Sequence, residues 1–239
     1  MKMLAEKQDV FLHSAFFTLI RNDNRIPAEP LAILKEHFGL YSIMMDFIFI
    51  IGPSAVGKTT LAKALFAHYN GVYLEQNMVP EFGIPEDCPD IGVFEEETCW
   101  KNFLLQLNFF HEKGFQNIIA LDFDDYRTRE LPLHFKGKRF VTLKLVSGDT
   151  EQIRRQMIHR SENEGGLMEL ENVERANQKI KSRPLLPNEV LLDVAGKTRE
   201  AVFTEAIGII DHFKPDLEYT YELPDEQLFL SWVHSRNLR

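Results

Sequence analysis

Residues 46–69 read DFIFIIGPSAVGKTTLAKALFAHY. The run Phe47–Ile51 is wholly apolar, rich in aromatic and β-branched residues, and of strand length. It predicts a strand covered on both faces. LAKALFAHY is built from good helix formers and predicts a helix. Between them, Gly52, Pro53, Ser54, Ala55, Val56, Gly57, Lys58 and Thr59 fit G-x-x-x-x-G-K-[ST] at every position, with Thr60 following. The pattern stands in the context it needs, a strand before and a helix after.

Each residue type has a physical reason to be there. A loop that wraps a polyphosphate turns its backbone N–H groups inward, which demands conformations that glycine reaches without strain. A helix starting near Lys58 adds the partial positive charge of its N-terminus at the same spot. Lys58 supplies a point charge to the β- and γ-phosphates, and the Thr59 hydroxyl a ligand to Mg²⁺. Residues 52–60 therefore read as the seat of ATP or GTP.

Outward from this junction the chain alternates short apolar runs with amphipathic stretches. The runs are DFIFII (46–51), GVYLE (71–75), NIIAL (117–121), RFVTLKLV (139–146) and EVLLDV (189–194). Between the second and third, TCWKNFLLQLNFFHEKG places Trp100, Phe103, Leu107 and Phe110 on one helical face and stops at Gly114. After the fifth, Thr198 is placed to cap a helix whose buried stripe is Val202, Ala206, Ile209, Ile210 and Phe213. Five strands with helices between them predict an α/β fold, a three-layer α/β/α sandwich on a mostly parallel five-stranded sheet. A helical N-terminal extension (1–44) precedes this domain (45–213). An appendage (214–239) follows it, with LEYTYEL as an edge strand and PDEQLFLSWVHSRN as a closing helix.

The 239 residues are 44% hydrophobic and 26% charged, an ordinary globular composition. A net charge of −9 argues against a nucleic-acid coat, because bulk phosphate affinity needs an excess of Lys and Arg. Cys88 and Cys99 match no zinc or CxxC spacing, which suits a reducing cytoplasm. No apolar run approaches the roughly 20 residues of a membrane span, and FLHSAFFTLI (11–20) reads as an amphipathic helix. The expectation is a cytoplasmic protein, monomer or homodimer, with no nucleic-acid or membrane partner.

Further candidates gather at strand ends, where a parallel sheet opens its ligand crevice. Asp122 follows NIIAL as a candidate Mg²⁺ ligand, with Asp124 and Asp125 as substitutes or plain caps. Glu75 ends GVYLE as a candidate general base, the alternative being a surface carboxylate. DTEQIRRQMIHRSENEGG (149–166) puts Arg154, Arg155, His159 and Arg160 on one helix, within a lid spanning about 149–183. The lid would set Arg154 toward the nucleotide, and Arg155 and Arg160 toward the transferred group. A solvated charged helix is the alternative. The long, proline-broken connection at about 76–114 reads as an acceptor-binding region, in which Glu81, Phe82 and Trp100 are candidate contacts or, for the two aromatics, core.

Over about 46–213 the chain resembles the small-molecule P-loop kinases, the nucleotide, nucleoside, shikimate and gluconate kinases with adenylate-kinase-like topology. GPSAVGKTT looks like their phosphate loop, GVYLE like their second strand, EQIRRQMIHR like the arginine helix of their lid, and VLLDVAGKTREAVFTEAIGII like their last strand, loop and helix. The resemblance implies that Ala195-Gly196-Lys197 lines the adenine pocket, with Gly196 touching the nucleotide and ATP as donor. There are departures: strand two lacks a D-x-D pair, and DDYRTR (124–129) only loosely echoes D-R-x. No N-K-x-D tetrapeptide is present to read guanine. The expected activity is ATP- and Mg²⁺-dependent phosphotransfer to a small-molecule acceptor, foremost a nucleoside or nucleotide, with shikimate or sugar acids as further members. A nucleotide-binding regulatory ATPase acting through a protein partner is the alternative.

Overall fold

The computed structural model describes residues 44–164, 170–222 and 226–236, all within the compact unit Ile43–Arg239. The expected N-terminal helical extension therefore lies outside the described residues, apart from Met44. The elements in chain order are β1 (Phe47–Ile51), α1 (Lys58–Tyr69), β2 (Val72–Glu75), α2 (Ile91–Glu112), β3 (Ile118–Leu121), α3 (Asp125–Thr128) and α4 (Leu131–His134). They continue with β4 (Phe140–Val146), α5 (Thr150–Glu164), α6 (Leu170–Ser182), β5 (Glu189–Asp193), α7 (Arg199–His212) and α8 (Glu226–Arg236).

The five strands form one sheet in the order β2-β3-β1-β4-β5, and every neighbouring pair is parallel. Strand alternation sends side chains to two cores. Phe47, Phe49, Ile118 and Ala120 join Trp100, Phe103 and Leu107 of α2 on one face. Ile48, Ile50, Ile119 and Leu121 join Leu61 and Leu65 of α1 and Ala206 and Ile210 of α7 on the other. Because helices cover both faces, β1, β3 and β4 are buried along their full length, which is why they read as unbroken apolar runs. Among the described residues no helix is long and apolar enough to cross a membrane.

Two parts of the sequence reading change. Helix α2 begins at Ile91, earlier than its apolar stripe suggests, because the Asp90 side chain accepts the Val93 N–H (3.0 Å) and caps it. The expected edge strand at 217–223 is absent over its described part, 217–222. The Asn188 side chain bonds both the N–H and the carbonyl of Asp216 just upstream, and the Tyr219 hydroxyl donates to Pro132 O at 2.6 Å. Tyr219 and Tyr221 still pack on the α2-side core, so the alternating pattern is real but no strand ladder accompanies it.

Candidate functional site

The loop after β1 is shaped by the strand beside it. Gly52 has φ 150°, and a Cβ there would meet Leu145 O of β4 at 2.5 Å, so a side chain would push the loop off the sheet. Gly57, φ 99°, is the left-handed N-cap of α1. Lys58 folds back across the loop, its Nζ donating to Gly52 O at 3.0 Å and Pro53 O at 3.1 Å. The ammonium is thus held at the loop's mouth by the loop's own carbonyls. Thr59 and Thr60 are exposed on the first turn of α1.

A cavity of about 710 Å³ opens beside this loop, lined there by Gly52, Pro53, Ser54 and Lys58. Since β3 lies between β1 and β2, the cavity passes the end of β3 at Asp122 and the end of β2 at Gln76 and Asn77. Asp122 has φ 71°, a left-handed conformation that Asp adopts more readily than most residues. The far end is lined by Glu95, Glu96 and Cys99 of α2 and by Trp232 and Val233 of α8, and α6 contributes Lys179.

The cavity does not gather every expected residue. Asp122, Asp124 and Asp125 line it, but Asp124 also caps α3 by accepting Tyr126 N–H, and Asp125 accepts from Arg183 Nε at 2.8 Å. Glu75 stands beside the lining, its carboxylate taken by the Tyr73 hydroxyl. Burial, then that bond, then the charges of Glu75 and Asp122 hold the Tyr73 hydroxyl above the ordinary tyrosine range, which places Asp122 within electrostatic reach of the pair.

The lid arginines behave differently from the expectation. Arg154 faces α6, 3.5 Å from Glu174, and Arg155 is 72% exposed with Asp149 at 3.9 Å; neither lines the cavity. The side chains of His159 and Arg160 lie outside the described residues. The base of the lid does meet the phosphate loop, since Ala55 packs against Ile153, Met157 and Val173. Gly196 sits at φ 66° in the turn after β5, where Asp193 accepts the Gly148 and Ala195 N–H groups, and it is not part of the cavity lining. Trp100 is core, 3% exposed, whereas Phe82 and Glu81 are exposed.

Two buried arginines brace the far end. Arg183 is gripped by Glu189 (2.6 and 2.9 Å) and Asp125; burial opposes its charge, but those carboxylates more than compensate and raise its pKa. Arg127, 4% exposed, pairs with Glu96 (3.2 Å) and Glu130 (2.9 Å), under the rings of Phe229 (4.6 Å) and Trp100 (5.3 Å). Trp232 stacks on Tyr126 with 5.3 Å between centroids, so α8 is seated on this cluster. Sequence reading had no marker for Glu95, Glu96, Lys179 or Trp232, whose neighbours along their helices are ordinary amphipathic residues.

No known protein family matches the chain, and no curated protein matches it. Among solved structures it is similar to a gluconokinase from Sinorhizobium meliloti 1021 (12% identity, 68% of this chain and 90% of that one, TM-score 0.48). A sugar kinase from Janibacter sp. HTCC2649 is similar at 17% identity over 69% of this chain and 94% of that one, TM-score 0.49. Thymidylate kinase from Candida albicans is similar at 18% identity over 75% and 99%, TM-score 0.46.

Proposed function

We propose that the chain is a kinase that transfers the γ-phosphoryl group of ATP to a hydroxyl of a small metabolite of the nucleoside or nucleotide kind. The observation that carries this reading is the sharing of one cavity by the Lys58 loop and, across the end of β3, by Asp122 and the β2–α2 connection. A donor phosphate at the loop and an acceptor beyond Asp122 would then lie side by side, the arrangement that phosphoryl transfer needs most.

The residues fit the nucleotide. Gly52 is a cradle that a Cβ would fill, and Lys58 is the cation set on the loop that would seat the triphosphate. Among the described residues no three His, Cys, Asp or Glu side chains cluster as a metal cage. A Mg²⁺ ion carried in with the triphosphate would draw a protein oxygen from Thr59, which leaves the Asp122 carboxylate to the acceptor, and would neutralise charge on the phosphates.

In the reaction the acceptor oxygen forms a bond to the γ-phosphorus as the bond to the β,γ-bridging oxygen breaks, and ADP leaves. The acceptor's proton passes to a carboxylate, for which Asp122 is best placed within the cavity and Glu75 is the alternative beside it. Trp232 and Val233 of α8 keep water from the acceptor end.

Two measurements test the proposal. Titration with Mg-ATP should release heat and raise the melting temperature, and one pool of hydroxyl metabolites should stimulate ADP release. No heat with either Mg-ATP or Mg-GTP would remove the nucleotide site and the enzyme with it.

A further inference from the structure

One side chain at the end of β2 is oriented by a run of polar contacts that begins in the interior. Arg127 is buried beneath Phe229 and Trp100 and is shared between Glu130 and Glu96. Its Nε donates to Glu96 Oε1 at 3.2 Å, and Gln76 Nε2 donates to the same oxygen at 3.4 Å. Glu96, on α2, and Gln76, directly after β2, both line the cavity. A strand end and a helix thus set an amide and a carboxylate side by side at the acceptor end.

The arrangement decides which atoms a ligand meets. A carboxylate paired with a guanidinium accepts hydrogen bonds and donates none, and it has room for about four. Gln76 must therefore turn its NH2 toward Glu96, so the amide carbonyl is the end that Glu96 does not engage. What the pair offers a third group is chiefly acceptor oxygen. An O–H or N–H donor satisfies it, whereas a carbonyl oxygen in the same place sets acceptor against acceptor. The Glu96 side chain is only 15% exposed, so water replaces such a donor poorly.

Resting on the kinase reading, we propose that Gln76 and Glu96 form a specificity subsite that binds an N–H or O–H donor of the acceptor, remote from the hydroxyl that is phosphorylated. Arg127 is a positioning residue, setting Glu96 without touching the acceptor. Among nucleosides and nucleotides the pair selects a base with an exocyclic amino group over its oxo counterpart, as carboxylate and amide side chains do when they read cytosine and adenine edges.

The test uses the full chain with Mg-ATP and matched acceptors: cytidine against uridine, adenosine against inosine, and their 5′-monophosphates paired likewise. In the pair that is used best, the amino member should have kcat/KM at least ~10-fold above the oxo member. Glu96→Gln should bring that ratio to within about threefold of unity, because its amide can rotate and donate to an oxo group. Gln76→Leu leaves the Arg127–Glu96 pair in place; it should raise the KM for the acceptor ~10-fold and hold that for ATP within about twofold. Arg127→Lys keeps a cation but loses the Nε–H, and should lower the amino-over-oxo ratio at the same constant KM for ATP. Circular dichroism melting confirms that each variant is folded, and Gln76→Leu carries the test should Arg127→Lys unfold. Equal use of both members, or preference for the oxo member, overturns the inference and leaves the kinase standing. Equal rises in both KM values for Gln76→Leu remove Gln76 from the subsite, and a ratio that folded Arg127→Lys does not move removes Arg127. ADP release indifferent to every acceptor overturns the kinase reading as well.

Discussion

The Tyr73 hydroxyl donates to the Glu75 carboxylate at the end of β2, two residues apart on the same strand and on the same side of the sheet. A carboxylate held this way is a poor proton acceptor for anything else, because its partner would have to let go first. Asp122, in the cavity lining at the neighbouring strand's end, has no such hydrogen bond among the described residues. Asp122→Asn should therefore lower turnover by ~10²-fold or more, and Glu75→Gln by less than ~10-fold. Steady-state kinetics of the two variants decides between them; the reverse ranking would return the base role to Glu75.

Lys58 is positioned by the two carbonyls it bonds, Gly52 O and Pro53 O, before any ligand arrives. Lys58→Ala removes a charge that matters most when the transferred group is between oxygens. Turnover should fall at least ~10²-fold while the melting curve stays close to that of the parent chain. Turnover at the parent rate would show that the loop does not seat the phosphates.

The pair formed by Asp90 and His234 (2.6 Å) joins the start of α2 to α8 and so steadies one wall of the acceptor end. The hydrogen bond from His234, then the Val93 N–H, hold the Asp90 carboxyl below the usual range. A lowered folded-state pKa means the stabilisation is present above the ordinary carboxylate value of 3.8 and is lost as pH falls through the lowered one. Amide exchange in α8 should accelerate in that acid window. Asp90→Asn keeps an N-cap but loses the charge, so its α8 should exchange faster at neutral pH and show a smaller further change on acidification. Equal exchange in both proteins at neutral pH would show that the pair does not hold the helix.

Arg183 is 6% exposed and neutralises Glu189, which is fully buried, and Asp125 at 8%. Its carbonyl also accepts the buried Lys144 ammonium at 2.6 Å. Arg183→Ala strands the Glu189 carboxylate in the interior and leaves Asp125 with Arg129 alone (3.5 Å), and a loss of ~3–5 kcal/mol is expected in urea unfolding. A loss under ~1 kcal/mol would mean water reaches the site.

The legible parts of this chain were those set by neighbours in sequence. The phosphate loop demanded particular residues at fixed spacing, and the strands had to be apolar on both faces, so 46–60 and the four later runs declared themselves. The Thr198 cap was legible for the same local reason. The acceptor end was not, because it is assembled by packing: Glu95, Lys179 and Trp232 come from three helices far apart in the chain. Counting charge along α5 suggested a cationic cluster, but adjacent helical residues diverge by about 100°. Arg154 accordingly turns to Glu174 on α6 while Arg155 turns outward. The Asp90 cap sat beside prolines in a stretch that read as loop.

The crowding of the Cβ position at Gly52 by Leu145 O and Val56 Cγ1 has a genetic corollary. Neither Leu145 nor Val56 lines the cavity, yet the seat takes its contour from them. Random mutagenesis scored by lost activity should return bulky or branched replacements at both positions, in proteins that accumulate normally. Such alleles would look like errors of chemistry while their lesion is one of upholstery.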